Sequence, residues 1–132
     1  MQSASKVSAI DLLSIKVTSS KSIAVAKFNK KVDIAARQDA QWVKDPISVI
    51  RKYNYWPGRT AVIFIDGDGE HPSTYKITII YDGFSGDSVR GQHDEITIVQ
   101  NQLDIWHLKS IKTSWRCWSG RGHTDYSIEP CA

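Results

Sequence analysis

The chain has 132 residues, of which 41% are hydrophobic and 23% are charged, a composition typical of a single globular domain and too apolar for a disordered tail. Its formal net charge of +3 is too small to indicate nucleic acid or an anionic lipid surface as the partner. The sequence has no run of the roughly 20 apolar residues that a membrane-spanning helix needs, which excludes that class of membrane protein.

We expect one domain over residues 1–132, with three parts that differ in texture. Residues 1–21 form an N-terminal segment whose apolar stretch from Ile10 to Val17 fits either a short helix or an edge strand. Residues 22–58 form the helical part, and residues 59–132 form an antiparallel sheet that ends in a disulfide-closed loop.

The helical part begins with a short predicted strand at 22–28, followed by a helix at 31–43 that has apolar residues near one face. Asp45-Pro46 then predicts a new helix, because Asp45 can accept a hydrogen bond as N-cap and Pro46 suits the first helical position. Pro57-Gly58 ends that helix.

Four strands are predicted after Gly58. The apolar run at 60–65 is typical of a strand buried on both faces, and the alternation from Tyr75 to Tyr81 is typical of a half-buried one. A third strand covers 89–99, with Ile96 and Ile98 facing one way, and Gln100-Asn101 makes a hairpin turn.

The last strand runs from Leu103 to about Trp118. At ~3.3 Å per residue it would be roughly 50 Å long if straight, which is too long for a small domain. We therefore expect a bulge or bend near Lys109-Ser110. The pattern predicts an α+β fold in which N-terminal helices pack on a curved four-stranded antiparallel meander, as in cystatin-like and nuclear-transport-factor-like rolls. A flatter sheet with helices on one side is the alternative.

Cys117 and Cys131 are the two cysteines, 14 residues apart near the C-terminus. A bridge between them would contribute roughly 3 kcal/mol by restricting the unfolded chain, and we favour it over two free thiols. A structural disulfide indicates an exported, secreted or periplasmic protein. The first residues lack a secretory signal. The chain is therefore either cytosolic, or its signal has been removed and Met1 was added for expression, which the cysteines favour.

Three patterns that could carry metal or covalent chemistry do not hold. The run from Asp66 to Glu70 begins like a calcium loop but has His71 at the sixth position and Ile77 at the twelfth, so we predict a turn. Zinc would need Cys117, His123 and Cys131 plus a fourth ligand, at spacings that match no zinc finger. Cys117 with His123 and Asp125 has the residue types of a cysteine nucleophile, yet a bridged sulfur is no nucleophile. We predict no metal, no cofactor and no catalytic residue.

A ligand pocket is expected where the concave face of the sheet meets the helix ends. The polar residue among the candidates is His107, and the aromatic candidates are Trp42, Tyr53, Tyr55, Trp56, Trp106 and Trp115. For each aromatic residue taken alone, a place in the core is the competing interpretation. The aromatic and basic stretches at 51–59 and 115–123 could also hold single-stranded nucleic acid, a partner that an exported protein rarely meets.

The C-terminal run W-x-C-x-x-G-R-G-H-x-x-Y-S-x-x-x-C, from Trp115 to Cys131, resembles the ending of a family of exported bacterial proteins, many of them cyanobacterial. The resemblance covers residues 42 to 131 and is specific only at the C-terminus. It implies an exported small α+β domain with Cys117 and Cys131 bridged, and it implies no activity or site residue. Within the Gly-Arg-Gly-His turn, we expect Arg121 and His123 to lock the loop by bonding backbone carbonyls or Asp125; an anion-binding edge is the alternative.

Three functions follow as hypotheses. The first is a non-catalytic exported module that binds a small ligand or a protein partner. The second is an enzyme that uses the same pocket, with His107 or Asp104 as general base. The third is an inhibitor or immunity-type protein that works through a sheet edge, where a homodimer could also form.

Overall fold

The computed structural model describes residues 9–54, 60–67, 69–85 and 88–132. Within these ranges the helices are α1 (Ala9–Ser14), α2 (Ala26–Arg37) and α3 (Pro46–Tyr53), with a 3₁₀ helix at Gln41–Lys44. The strands are β1 (Lys21–Ile23), β2 (Thr60–Gly67), β3 (Thr74–Asp82), β4 (Val89–Gln100) and β5 (Trp106–Cys117). They form one antiparallel sheet in the order β1-β5-β4-β3-β2. The α+β fold and the four-stranded meander are confirmed, and β1 adds a fifth strand.

The fifth strand is short because the chain turns into a helix soon after it. β1 pairs with β5 from Lys21 opposite Thr113 to Ile23 opposite Ile111, and α2 begins at Ala26. The predicted strand at 22–28 is therefore wrong beyond Ile23. Phe28 lies in the first turn of α2, where its ring packs edge-on against Tyr53, with centroids 5.3 Å apart.

The predicted helix at 31–43 is two helices. α2 ends at Arg37, Asp39 adopts a left-handed φ of 57°, and the 3₁₀ helix follows. The apolar residues at both ends of the predicted helix remain buried despite the break, since Val32 and Val43 belong to one buried cluster. The start of α3 is as predicted, because the Asp45 carboxylate accepts a hydrogen bond from the Ser48 backbone N–H at 3.1 Å and Pro46 is the first helical residue. Pro57-Gly58 lies outside the described residues.

The predicted irregularity in the last strand is confirmed. Ser110 pairs with Thr97 and Leu108 with Ile98, so Lys109 is an extra residue, and such a bulge bends the strand. β5 starts at Trp106 because the turn before it is longer than predicted. In that turn the Asn101 side-chain oxygen accepts hydrogen bonds from the backbone N–H groups of Leu103 and Ile105.

β2 differs most from its prediction. Ile63 and Ile65 are 37% and 49% exposed, so the strand is not buried on both faces. The reason is topological: β2 is the last strand of the sheet and pairs only with β3 in the part of the chain that the structure describes.

The core lies between the sheet and the helices α2 and α3. Val49 and Ile50 of α3 pack on the sheet face that carries Ile77, Ile96 and Ile111. On the other face, α1 and the C-terminal loop cover the sheet, and Leu12, Ile80 and Tyr126 form a second cluster.

Cys117 and Cys131 form a disulfide, as expected, with Cα atoms 5.6 Å apart. The bond ties the C-terminal loop to the end of β5. As for the membrane, none of the helices in the described ranges combines the length and the apolar character needed to cross a bilayer.

Candidate ligand-binding cleft

The site is built from neighbouring cross-strand rows on the helix-covered face of the sheet. The first is apolar and contains Ile23, Ile111, Ile96 and Ile77. The next, which we call the polar row, contains Lys21, Thr113, Asp94 and Ile79. The third contains Trp115, Gln92 and Tyr81. Directly opposite residues in adjacent strands have Cβ atoms about 5 Å apart. The Asp94 carboxylate therefore lies between the apolar row of the core and the row that contains Trp115 and Tyr81.

A cleft of about 450 Å³ lies over these rows, at the end of α3. Its lining residues come from β1, α3, β4 and β5 and are Lys21, Ile23, Tyr53, Asn54, Gln92, Asp94, Ile111, Thr113 and Trp115. The cleft is thus at the meeting of sheet and helix ends, where the sequence predicted a pocket.

Asp94 is the most constrained group in the cleft. It is 4% exposed, its Oδ1 accepts a hydrogen bond from Thr113 Oγ1 at 2.6 Å, and Gln92 Nε2 donates to Oδ1 at 2.9 Å and to Oδ2 at 3.1 Å. Among the described ion pairs, none includes Asp94. Burial raises the pKa of Asp94, an effect that the bonds from Thr113 and Gln92 oppose.

Two tyrosines respond to the same burial and to the charge of Asp94. Burial, and then the nearby Asp94 carboxylate, raise the pKa of Tyr53 and raise the pKa of Tyr81 to about 12. Both phenols are therefore neutral at physiological pH and can donate hydrogen bonds. Asn54, the residue after α3, donates its side-chain N–H to the Tyr81 hydroxyl, which ties the helix end to the floor of the sheet.

The Trp115 ring forms the outer wall of the cleft, and the Lys21 ammonium lies over this ring. Lys21 Nζ lies 5.3 Å from the centroid of the Trp115 ring. The Trp115 indole N–H donates to the backbone carbonyl of Glu129 at 2.9 Å, so the C-terminal loop holds the ring in place.

The structure brings only some of the sequence-predicted lining residues to the cleft. Trp115 and Tyr53 line it. Trp106 is 4% exposed and belongs to the main core, and Trp42 packs against Phe28 with ring centroids 6.4 Å apart. Tyr55 and Trp56 lie outside the described residues.

The two groups predicted as general bases for an enzyme lie away from the cleft lining. His107 Nε2 is 2.7 Å from Asp33 Oδ1, between β5 and α2. Asp104 is exposed in the β4–β5 turn, where it adopts a left-handed φ of 64°.

Arg121 and His123 make the contacts expected of loop-locking residues. Arg121 Nη1 donates to the carbonyl of Ala132 at 3.2 Å, and the two ring nitrogens of His123 lie 2.7 and 2.8 Å from the carbonyls of Asp125 and Glu129. Gly122 has a φ of 143°, and a Cβ there would lie 2.9 Å from Cys117 Sγ, so the turn requires glycine.

The three residues considered for zinc do meet. The ligand atoms of Cys117, His123 and Cys131 lie within 4.8 Å of one another, but the two sulfurs are bonded to each other. Asp66, from the run considered for calcium, is the penultimate residue of β2, and Asp68 lies outside the described residues.

Asp94 is among the cleft residues that the sequence analysis missed, and a signal for it was present. Ile96 and Ile98 were assigned to the buried face of the third strand, and both are buried. Side chains two residues apart in a strand share a face, so the same alternation places Asp94 and Gln92 on that face. A carboxylate in an apolar stripe is the pattern that would have identified the site.

No family model, no curated protein and no solved structure matches the chain.

Proposed function

We propose that this chain is an exported domain that binds a small ligand in the cleft over Asp94, without catalysis. A single observation carries the proposal: Asp94 is 4% exposed, lines a cleft, and among the described residues receives hydrogen bonds from neutral donors only. Burying a carboxylate without a cation costs several kcal/mol. Groups perturbed in this way concentrate at functional sites rather than in ordinary cores.

The size and lining of the cleft support the same proposal. A volume of about 450 Å³ is within the ~300–1,000 Å³ typical of small-molecule sites. The lining combines four apolar or aromatic side chains with five polar or charged ones, of which Gln92, Asp94 and Thr113 lie together on the β4–β5 pair. Such sites gain affinity from the walls and orientation from the polar groups.

Export is supported by the Cys117–Cys131 disulfide, since structural disulfides persist mainly in oxidising compartments. We further propose that the chain belongs with the exported bacterial proteins that its ending resembles, because the glycine, histidine and cysteine positions of that ending form one interlocked loop. Immunodetection in fractions of the producing cell tests the location. Recovery from the cytosol would contradict export and leave the cleft proposal untouched.

The binding proposal is tested by NMR titration of the ¹⁵N-labelled protein with neutral, cationic and anionic small fragments at millimolar concentration. We expect shifts of the Thr113 amide, the Trp115 indole N–H and the Asn54 side-chain amide, all in the cleft lining. The indole N–H groups of Trp42 and Trp106, which lie in or against the core, are the internal control. If no fragment of any charge moves the cleft signals, the chain is not a small-ligand module.

The same titration separates the two other hypotheses. An enzyme in the same cleft, favoured by a carboxylate of raised pKa beside the phenol of Tyr53, would convert the bound fragment, and product signals would accumulate with time. An interaction protein or homodimer would use the edge of β2 that pairs with no strand in the described ranges, where Ile63 and Ile65 are exposed. In that case the β2 signals would depend on protein concentration, with no fragment added.

A further inference from the structure

Asp94 has hydrogen-bonding capacity that its neighbours in the described part of the chain do not fill. A carboxylate accepts about four hydrogen bonds. Here Thr113 Oγ1 donates only to Oδ1, and a single donor, Gln92 Nε2, is shared between Oδ1 and Oδ2. Oδ2 can therefore accept a further donor, and Asp94 is part of the cleft lining, where a ligand can supply one.

The charge of Asp94 also has no cationic partner among the residues that the structure describes. Lys21 lies in the same polar row, but Thr113 stands between the two, and the Lys21 ammonium lies over the Trp115 ring. His93 precedes Asp94 in β4 and so faces the opposite side of the sheet, and burial lowers its pKa. Across the described ranges no cation comes within ion-pair distance of Asp94.

We propose that the cleft takes an organic cation that carries N–H donors, an ammonium, amidinium or guanidinium group, which pairs with Asp94 and lies against the rings of Tyr53 and Trp115. This inference rests on the proposed function and names the ligand class of that site. Hydrogen bonds from such cations to a carboxylate are short and about twice as strong as neutral ones. Aromatic faces add a further attraction for the cation, and the position of Lys21 over Trp115 is an internal example of it.

Three isosteric probes test the ligand class: benzamidinium, benzamide and benzoate. They share a planar ring and differ in the charge and donors of one group. We expect benzamidinium to bind at least about tenfold more tightly than benzamide, since one charge-assisted pair is worth that much or more, and benzoate to bind more weakly than both. The readout is the dissociation constant from the Trp115 indole and Thr113 amide shifts.

Two carboxylate variants show where the cation binds. Asp94→Asn keeps the shape of the side chain and removes its charge, and it should reduce benzamidinium affinity to that of benzamide. Glu95→Gln removes the same charge one residue away, on the opposite face and from a side chain that is 50% exposed. It should leave the affinity unchanged.

The affinity for benzamidinium should also rise as the pH rises through the pKa of Asp94, because only the ionised carboxylate pairs with a cation. The other groups that face Asp94 are Tyr53 from α3, Tyr81 from β3 and Lys21 from β1. The two phenols are neutral throughout the acid range. His93, on the opposite face of the sheet, interacts with Asp94 through its charge and is present in both proteins. The rise in affinity through the pKa of Asp94 should therefore be absent in Asp94→Asn.

Each outcome has a defined meaning. If benzamide binds as tightly as benzamidinium, or benzoate binds best, the cation class is wrong and the small-ligand function stands. If the affinity for benzamidinium is unchanged in Asp94→Asn, Asp94 is not its partner. If none of the three probes moves the cleft signals, and the wider fragment set does not either, both proposals fail. The comparison of probes on the natural sequence keeps the test decisive even if a variant does not fold.

Discussion

At the scale of the residue, the ionised carboxylate of Asp94 favours the binding of a cation but lowers the stability of the fold. Its carboxylate is buried next to the isoleucine row of the core, and burial raises its pKa. Burial therefore penalises the ionised form of Asp94, which is the form that a cationic ligand requires. Residues that serve function at the expense of stability are a common feature of binding sites.

The first prediction follows from the direction of this pKa shift. A carboxyl group whose pKa is raised in the folded state stabilises the fold below its unfolded pKa of about 3.8, and this contribution is lost as the pH rises through the folded pKa. Asp94→Asn should therefore increase the free energy of unfolding at pH 7, and the gain should shrink towards zero as the pH falls to about 3.8. Urea unfolding of both proteins at several pH values measures the difference.

A neighbouring buried group, His93, also contributes at acid pH. Burial lowers the pKa of His93 from 6.5, and the nearby Asp94 charge opposes that shift. The stability that depends on neutral His93 is lost as the pH falls in both proteins, at a lower pH in Asp94→Asn because the Asp94 charge is gone. Thr113→Val, which removes a donor to Asp94, should act in the opposite direction and destabilise the fold at pH 7. A loss of stability in Asp94→Asn that is the same at every pH would mean that its hydrogen bonds outweigh its charge.

The residue scale is also where sequence reasoning was weakest. It selected aromatic side chains for the cleft, yet aromatic residues suit a core as well as a wall, and Trp106 is in the core while Trp115 lines the cleft. Whether an aromatic residue lies in the core or in the cleft wall depends on which end of the sheet the helices leave uncovered. Asp94 was detectable by alternation, but its partner Thr113 depends on the register of β4 with β5, which a bulge shifts.

At the scale of the element, the sequence correctly predicted those features of helices and strands that depend on neighbouring residues alone. The N-cap and proline of α3 and the bulge in β5 are present, and β3 alternates from Tyr75 to Ile79. Beyond that point β3 is buried on both faces, because Ile80 packs in the second cluster. The errors concern elements whose fate depends on distant parts of the chain. β2 has an apolar sequence but lies at the sheet edge. The helix at 31–43 is interrupted, and across the break Val32 and Val43 share one buried cluster.

The second prediction concerns the cap of α3. Asp45 accepts hydrogen bonds from the backbone N–H and the hydroxyl of Ser48, at 3.1 and 2.6 Å. Asp45→Ala leaves that N–H without its partner and should lower the free energy of unfolding by about 1 kcal/mol. Because Tyr53 of α3 and Asn54, the residue after it, line the cleft, ligand affinity should weaken as well. Thermal and urea unfolding measure the loss of stability.

Asp45→Asn is the matched control for this prediction, since asparagine caps helices about as well as aspartate but has no charge. It should keep nearly all of the stability. If both variants lose the same amount, the charge of Asp45 rather than its capping bond stabilises the helix start. If neither loses stability, α3 is held by the packing of Val49 and Ile50 alone.

At the scale of the whole molecule, the two ends of the chain are held together by contacts that no local pattern reveals. Thr18 donates its backbone N–H to the carbonyl of Tyr126 at 2.9 Å, and the backbone N–H of Tyr126 donates to the carbonyl of Lys16 at 2.8 Å. Thr18 also donates its hydroxyl to the Asp125 carboxylate. Only the folded sheet brings these segments together, so a sequence predicts the loop and its disulfide but not what the loop packs against.

The C-terminal loop links this arrangement to the cleft. The disulfide ties Cys131 to the end of β5, and the nearby carbonyl of Glu129 accepts the indole N–H of Trp115. The cleft wall is therefore held in place by a segment that would fray if it were not bridged. Loop and cleft should respond together when the bridge is removed.

The third prediction tests that coupling with the double substitution Cys117→Ala and Cys131→Ala. Removing a bridge that closes a 14-residue separation should lower the free energy of unfolding by roughly 3 kcal/mol, since the unfolded chain regains the entropy of an open loop. The Trp115 indole signal should shift and broaden, while the Trp106 indole, buried in the core, should not. The natural protein in reductant should match the variant, and reductant should have no effect on the variant itself. An unchanged Trp115 signal together with the loss of stability would show that hydrogen bonds alone hold the cleft wall.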